Sequence, residues 1–192
     1  GGPIPDPAMA LSKMLATLVD GEGRIAIPGV REQVRPISAR EEADMKALPY
    51  NESEFRKQVG MVEGAQLLPE GPSVLGQLWR FPSLTVNAIQ ASSRKQAGNI
   101  INDAAWAKVT IRTAPDMNPE KTLELLQAAL RKAAPWGLDV TFKVEACNGP
   151  WSVEAVGPAF EAAEIAMEKG YGRAPHKIGC GGSIPFVKPF AD

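Results

Sequence analysis

Hydrophobic spacing divides the chain into a regular part, an irregular part and a tail. Leu11, Leu15 and Leu18 recur at helical intervals with Met14 beside them. Asp6-Pro7 precedes them with a capping carboxylate and a proline suited to the first helical turn. Asp20-Gly21-Glu22-Gly23 then stops the pattern, so a helix is predicted over 6–19. Residues 24–82 carry no sustained period. Ser38-Ala39-Arg40-Glu41-Glu42 reads as a capped helix start running to Leu48, and Pro49 ends it. Asn51-Glu52-Ser53-Glu54 opens a second short helix, and Pro69, Gly71 and Pro72 punctuate the rest of the stretch.

From Leu84 the pattern becomes regular. Leu84, Val86 and Ala88 alternate with Thr85 and Asn87, as in a half-buried strand. A polar loop follows over 92–98. Ala105, Ala107, Val109 and Ile111 then alternate with Trp106, Lys108, Thr110 and Arg112, which places Arg112 on the face opposite Ile111. Asn118-Pro119-Glu120 caps a helix carrying Leu123, Leu126 and Leu130, closed by Pro135 and Gly137. Leu138, Val140, Phe142 and Val144 alternate strictly and predict a third strand. Pro158 starts a last helix through Phe160, Ala163 and Met167, stopping at Gly170.

The order is helix, strand, strand, helix, strand, which one leading strand would complete as a βαββαβ split unit. The expected fold is therefore α+β: a ferredoxin-like two-layer sandwich of an antiparallel sheet with two helices. It occupies residues 1–150, with the irregular insertion at 24–82. Residues 151–192 change character and read as a fragment of a second, α/β domain. The chain starts Gly1-Gly2-Pro3 with no Met and reads as part of something longer.

Composition removes several function classes. Hydrophobic residues make up 44% and charged residues 22% of 192, which is globular. Lys and Arg (21) nearly balance Asp and Glu (22), so no basic surplus points to nucleic acid or an anionic membrane. No apolar run is long enough to span a bilayer. Cys147 and Cys180 form no metal-spaced pair, and reduced thiols in the cytoplasm are expected. The one histidine, His176, cannot supply the histidine pair of a usual catalytic zinc site.

Three segments, in order, carry a family resemblance. They are Gly1-Gly2-Pro3-Ile4-Pro5-Asp6-Pro7-Ala8, then Asn99-Ile100-Ile101-Asn102-Asp103-Ala104 with Val109-Thr110-Ile111-Arg112, and Gly181-Gly182-Ser183-Ile184-Pro185. Together they resemble the lid, or dimerisation, domain of the di-zinc aminoacylase and carboxypeptidase family and the loop where that chain returns to its catalytic domain. The family includes carnosinase-type dipeptidases, acetylornithine deacetylase, succinyl-diaminopimelate desuccinylase and glutamate carboxypeptidase. The length of the 24–82 insertion looks most like the dipeptidase branch.

The resemblance implies a hydrolase that cleaves an amide beside a carboxylate, in a dipeptide or an N-acyl amino acid. Two zinc or other divalent ions would activate a bridging water, with a glutamate as general base. The family's metal-binding and catalytic motifs are not found in this sequence, so no catalytic residue and no metal ligand is assigned here. The lid implies a homodimer. Arg112 matches the family's carboxylate-binding arginine, whose planar fork pairs with both carboxylate oxygens. Asn99 matches a substrate-binding asparagine, although Asn102 stands where the family motif has proline. Gly181, Gly182 and Ser183 match a loop whose backbone N–H groups and hydroxyl suit an anion.

Each of these has a plainer reading: an exposed strand arginine, a Gly-Asn turn and a flexible glycine loop. The competing function is a non-enzymatic ferredoxin-like oligomerisation or ligand-sensing module. A cysteine hydrolase built on Cys180 and His176 is a third reading, for which the sequence offers no orienting Asp or Asn.

Overall fold

The computed structural model describes residues 1–95 and 97–180. The first helix, α1 (Pro7–Ala16), starts where its cap predicts, with Asp6 Oδ1 accepting from Ala8 N at 2.8 Å. It ends short of the expected boundary because Val19 is drawn into an antiparallel bridge with Ile25. Asp20 makes that reversal: its carboxylate accepts from Glu22 N and Arg24 N, each at 2.9 Å, and from Arg24 Nε at 2.8 Å. The Arg24 hydrogen bonds hold the Asp20 pKa down at about 2, from an ordinary 3.8.

The insertion begins inside the main core. Ile25, Ile27 and Val30 are all buried before the chain leaves for the surface through a short 3-10 turn, Arg31–Gln33. Three short helices come next: α2 (Ala39–Lys46), α3 (Glu52–Gln58) and α4 (Val74–Arg80). The start of α2 is a reciprocal capping box between Ser38 and Glu41, and α3 is capped by Asn51. Helix α4 is unannounced by the sequence pattern, since the turn-rich Gly71-Pro72 hides a working cap in Ser73, whose hydroxyl accepts from Gly76 N at 3.0 Å.

Two antiparallel strands form the sheet, β1 (Ser83–Gln90) and β2 (Trp106–Arg112). Leu84 faces Ile111 and Val86 faces Val109, as the alternation predicts. A bulge at Asn87 then shifts the register, so that Ala88 pairs with Lys108 and Ile89 with Ala107. Beyond the bulge the face presented by β1 changes, and Ala88 no longer continues the inward row.

The fourth long element, α5 (Pro119–Ala133), lies with α1 over one face of this sheet. Asn118 caps it by accepting from Lys121 N at 2.7 Å. Met14 and Leu18 meet Leu126 and Leu130 around Ile25, Ile27 and Val30, and Ala114 and Met117 complete the core. Two helices over an antiparallel sheet make the α+β two-layer arrangement expected.

The third predicted strand is corrected. Residues 138–145 carry no regular secondary structure, and the sheet of the described residues has only β1 and β2. The alternation itself is real: Val140 and Phe142 pack on the core while Asp139, Thr141 and Lys143 are exposed. Arg131 lies over the Phe142 ring, 4.8 Å from its centroid, and Glu145 Oε2 accepts from Lys108 Nζ at 2.5 Å. Side-chain periodicity reports burial, whereas a strand also needs a neighbour for its backbone groups, and none of the described segments provides one. A last helix, α6 (Pro158–Tyr171), buries none of its residues among the described part.

Candidate functional site

Arg112 is the last residue of β2, and its cross-strand partner is Ser83. Both residues line a cavity of about 390 Å³. The sandwich supplies one wall with Val19, Ile25, Leu84 and Ala114. The insertion supplies a second with Phe55, Leu67, Leu68, Val74, Leu78 and Trp79. The segment after the sandwich closes a third side with Pro150, Trp151 and Cys180. The volume is within the range of small-molecule sites, and the lining is mostly apolar with a few polar groups, as such sites require.

Two charged side chains among the described residues line it. Arg112 is exposed, and its guanidinium has no hydrogen bond or ion pair among the described residues. Glu70 is 7% exposed and already engaged. Its Oε2 accepts from Ile25 N at 3.2 Å, and Arg31 Nε stands 2.8 Å from Oε1, though off the direction of a good hydrogen bond. Glu70 thus ties the insertion to the start of the core and spends its charge doing so, whereas Arg112 keeps its fork available. An anion entering this cavity has one unengaged cation to meet among the described residues.

A second charged cluster holds the insertion's outer side. Glu41 Oε1 accepts from Arg35 Nη2 at 3.1 Å and lies 3.4 Å from Arg80 Nη1, while Arg35 Nε donates to Asp116 Oδ2 at 2.9 Å. Burial acts to raise the Glu41 pKa, but hydrogen bonds from Ser38 and the nearby Arg80 and Arg35 outweigh it and hold the carboxyl below its usual range. Burial pushes the Arg80 guanidinium below its usual value against the attraction of Glu41. Gln33 adds an uncharged tie, donating to Thr122 Oγ1 at 3.2 Å and accepting from Asn118 N at 3.2 Å. This cluster fixes the wall that carries Trp79 and Phe81 into the cavity.

The residues singled out from sequence are distributed unevenly. Arg112 and Cys180 line the cavity. Asn99 is exposed in the loop between β1 and β2 and is not part of the cavity wall. His176 is also exposed and outside the wall, so the cavity does not join it to Cys180. Gly181, Gly182 and Ser183 lie outside the described residues. Sequence reasoning did not single out Glu70, Trp79 or Trp151. The only local signal for Trp79 is its place at the end of the apolar run Val74-Leu75 through Leu78-Trp79, which does not distinguish a cavity wall from a core.

Among the described residues no three of His, Cys, Asp and Glu come together in a way that would hold a metal ion. No helix there is long and apolar enough to cross a membrane. The burial of the Cys147 thiol raises its pKa, which disfavours the thiolate a nucleophile needs.

Comparison with known proteins agrees with this geometry. The Peptidase dimerisation domain family of M20 type matches residues 1–138. The cysteinylglycine-S-conjugate dipeptidase of Corynebacterium striatum is 31% identical over 97% of this chain and 40% of its own. A Cys-Gly metallodipeptidase of Saccharomyces cerevisiae is 30% identical over 100% of this chain and 40% of its own. Among solved structures, the yeast dipeptidase Dug1p superposes with a TM-score of 0.85 at 28% identity, covering 100% of this chain and 40% of that one. Human carnosine dipeptidase 1 superposes at 0.83 and 25%, covering 99% and 41%. The chain therefore spans about 40% of the length of these relatives. With the capped entry into α1, the β1–β2 pair and α5 all inside the matched span, the chain belongs to the M20 peptidase dimerisation-domain family.

Proposed function

We propose that this chain is the lid and dimerisation segment of a longer metal-dependent dipeptidase, and that it holds the substrate's carboxylate through Arg112. The observation that carries the reading is the Arg112 guanidinium, unengaged among the described residues, beside a largely apolar cavity, within a fold similar to that of two dipeptidases. A carboxylate entering there can receive two parallel hydrogen bonds from the fork, and the apolar walls lower the local dielectric that would otherwise screen the pair.

In this reading residues 1–150 form the lid and residues 151–192 begin the returning catalytic domain. Asn99 and the Gly181-Gly182-Ser183 loop add contacts to the peptide unit and its carboxylate. The lid pairs with a second copy of itself. Dipeptides are the substrates in preference to N-acyl amino acids, because the similar proteins from Corynebacterium striatum and Saccharomyces cerevisiae are dipeptidases. Two divalent ions, zinc in the first instance, are held by residues outside this chain. The described residues do not fit a metal, and the roles left to them are to bind, orient and exclude water. A cytoplasmic location rests on the use of only two cysteines.

The test is Arg112→Ala in the full-length protein, loaded with metal. A fall in kcat/KM of about 100-fold is expected for loss of a bidentate charged contact. Metal content should be unchanged. Normal dipeptide turnover, or loss of metal together with turnover, would remove Arg112 from the carboxylate site.

A further inference from the structure

The cavity beside Arg112 has more wall than a carboxylate needs. Leu67, Leu68, Leu78 and Trp79 converge on it from the insertion, and Trp151 faces it from the segment after the sandwich. Leu68 and Leu78 are 55% and 46% exposed in this chain, which gives an apolar ligand group surface to cover beside Arg112.

The closeness of the third wall is also specific. A Cβ built on Gly179 would stand 2.5 Å from Cγ and 2.7 Å from Cβ of Trp79, so only glycine lets the chain beside Cys180 lie against that indole. Insertion and returning segment are therefore fitted to each other around this space. Of its two charged groups, Glu70 is occupied by Ile25 N and Arg31. A ligand anchored by its carboxylate on Arg112 has an apolar volume next to that anchor and one carboxylate in the wall.

We propose that the insertion forms a side-chain pocket for the residue whose carboxylate Arg112 holds, and that it selects uncharged apolar C-terminal residues such as Leu and Phe. This rests on the dipeptidase reading and narrows it. An apolar side chain leaving water for these walls gains from its burial, whereas glycine fills nothing. An aspartate side chain loses its water beside Glu70 and meets no second unengaged cation among the described residues, Arg112 being taken by the main-chain carboxylate.

The experiment measures kcat/KM of the metal-loaded full-length protein on Ala-Gly, Ala-Leu, Ala-Phe and Ala-Asp. Ala-Leu and Ala-Phe should exceed Ala-Gly by about tenfold or more, the discrimination a hydrophobic pocket supplies. Ala-Asp should be the poorest of the four. Leu78→Lys, at a half-exposed position, should bring the Leu-to-Gly ratio toward one and raise Ala-Asp relative to Ala-Leu. Leu78→Ala, which adds no charge, should lower the Leu-to-Gly ratio without favouring Ala-Asp.

Equal rates on all four peptides overturn the pocket, as does a Leu78→Lys protein that scales all four alike. In either case Arg112-dependent cleavage would leave the dipeptidase reading standing. If no dipeptide is cleaved at all, that reading falls and the pocket falls with it.

Discussion

The sandwich and the insertion are built by different means. In the sandwich, Leu18 and Val30 are wholly buried, and the surrounding side chains come from α1, α5 and the first residues after the Val19–Ile25 bridge. Residues 31–82 bury few side chains, Glu70 and Arg80 among them, and none of α2 or α3. Caps and ion pairs hold the insertion in place: the Ser38–Glu41 box, Arg35 between Glu41 and Asp116, and Glu70 against Arg31. Apolar burial has no charge to titrate or screen, while charge pairs respond to both pH and ionic screening. The cavity lies where the two meet, so one wall is rigid by packing and the other is held by electrostatics.

Four measurements and one control separate the two regions. The largest effect belongs to the sandwich: Leu18→Ala should cost about 3 kcal/mol in urea unfolding, the usual loss for a leucine truncated in a close-packed core. A loss under about 1 kcal/mol would mean that the core around α1 is not the main source of stability.

The next falls on the insertion. Glu41→Gln leaves the largely buried Arg80 without its carboxylate and should cost about 1 kcal/mol, because Glu41 is itself partly solvated. Its mark should be faster amide hydrogen exchange confined to α2 and α4, with α1 and α5 unchanged. Ser38→Ala removes one half of the capping box and should cost about 0.5–1 kcal/mol in the same region.

Acid provides the fourth comparison. Asp20 and Glu41 both have folded pKa values below their ordinary ones, so the unfolded chain binds protons more readily at these sites. Their contribution is fully present above the ordinary carboxylate pKa, 3.8 for Asp20 and 4.5 for Glu41, and is lost as pH falls through the folded values, about 2 for Asp20. Exchange protection in the insertion should therefore fall as pH drops below 4.5 in wild type, and fall less in Glu41→Gln. Equal acid sensitivity in the two proteins would assign the loss to other carboxylates. Glu42→Gln is the control at the bottom of the scale: its pair with Lys46 is exposed, and no shift in the unfolding midpoint is expected.

How much of the fold is legible in the sequence depends on how local each signal is. Asp6, Ser38, Asn51 and Asn118 each act as caps within three residues of themselves, and all four start a helix where the sequence places one. The inward row of β2, Ala107, Val109 and Ile111, is legible for the same reason. The bulge at Asn87 is not, because it is a property of two strands in register. Nor is the missing ladder at residues 138–145, where alternation shows which side chains are covered and is silent on what the backbone pairs with. Arg112 is singled out through resemblance. Its surroundings are hidden because Leu68, Trp79 and Trp151 reach it across many residues of intervening chain, with no periodicity to connect them.

The tie from Gln33 to Thr122 spans 89 positions, and the core it borders joins Met14 and Leu18 to Leu126 and Leu130. A chain emerging from its N-terminus cannot close this core until α5 has been made. Contacts so distant in sequence impose a loop-closure cost before they return any stability, which places such topologies toward the slow end of folding rates. Until then α1 and the segment from Ile25 to Val30 wait with their apolar faces uncovered. The capped helices α2 and α3 have their starts held by neighbouring residues, but at eight and seven residues they too need later partners, Arg35 among them through Asp116. The last side chains to find their places are thus those that finally hold the molecule together.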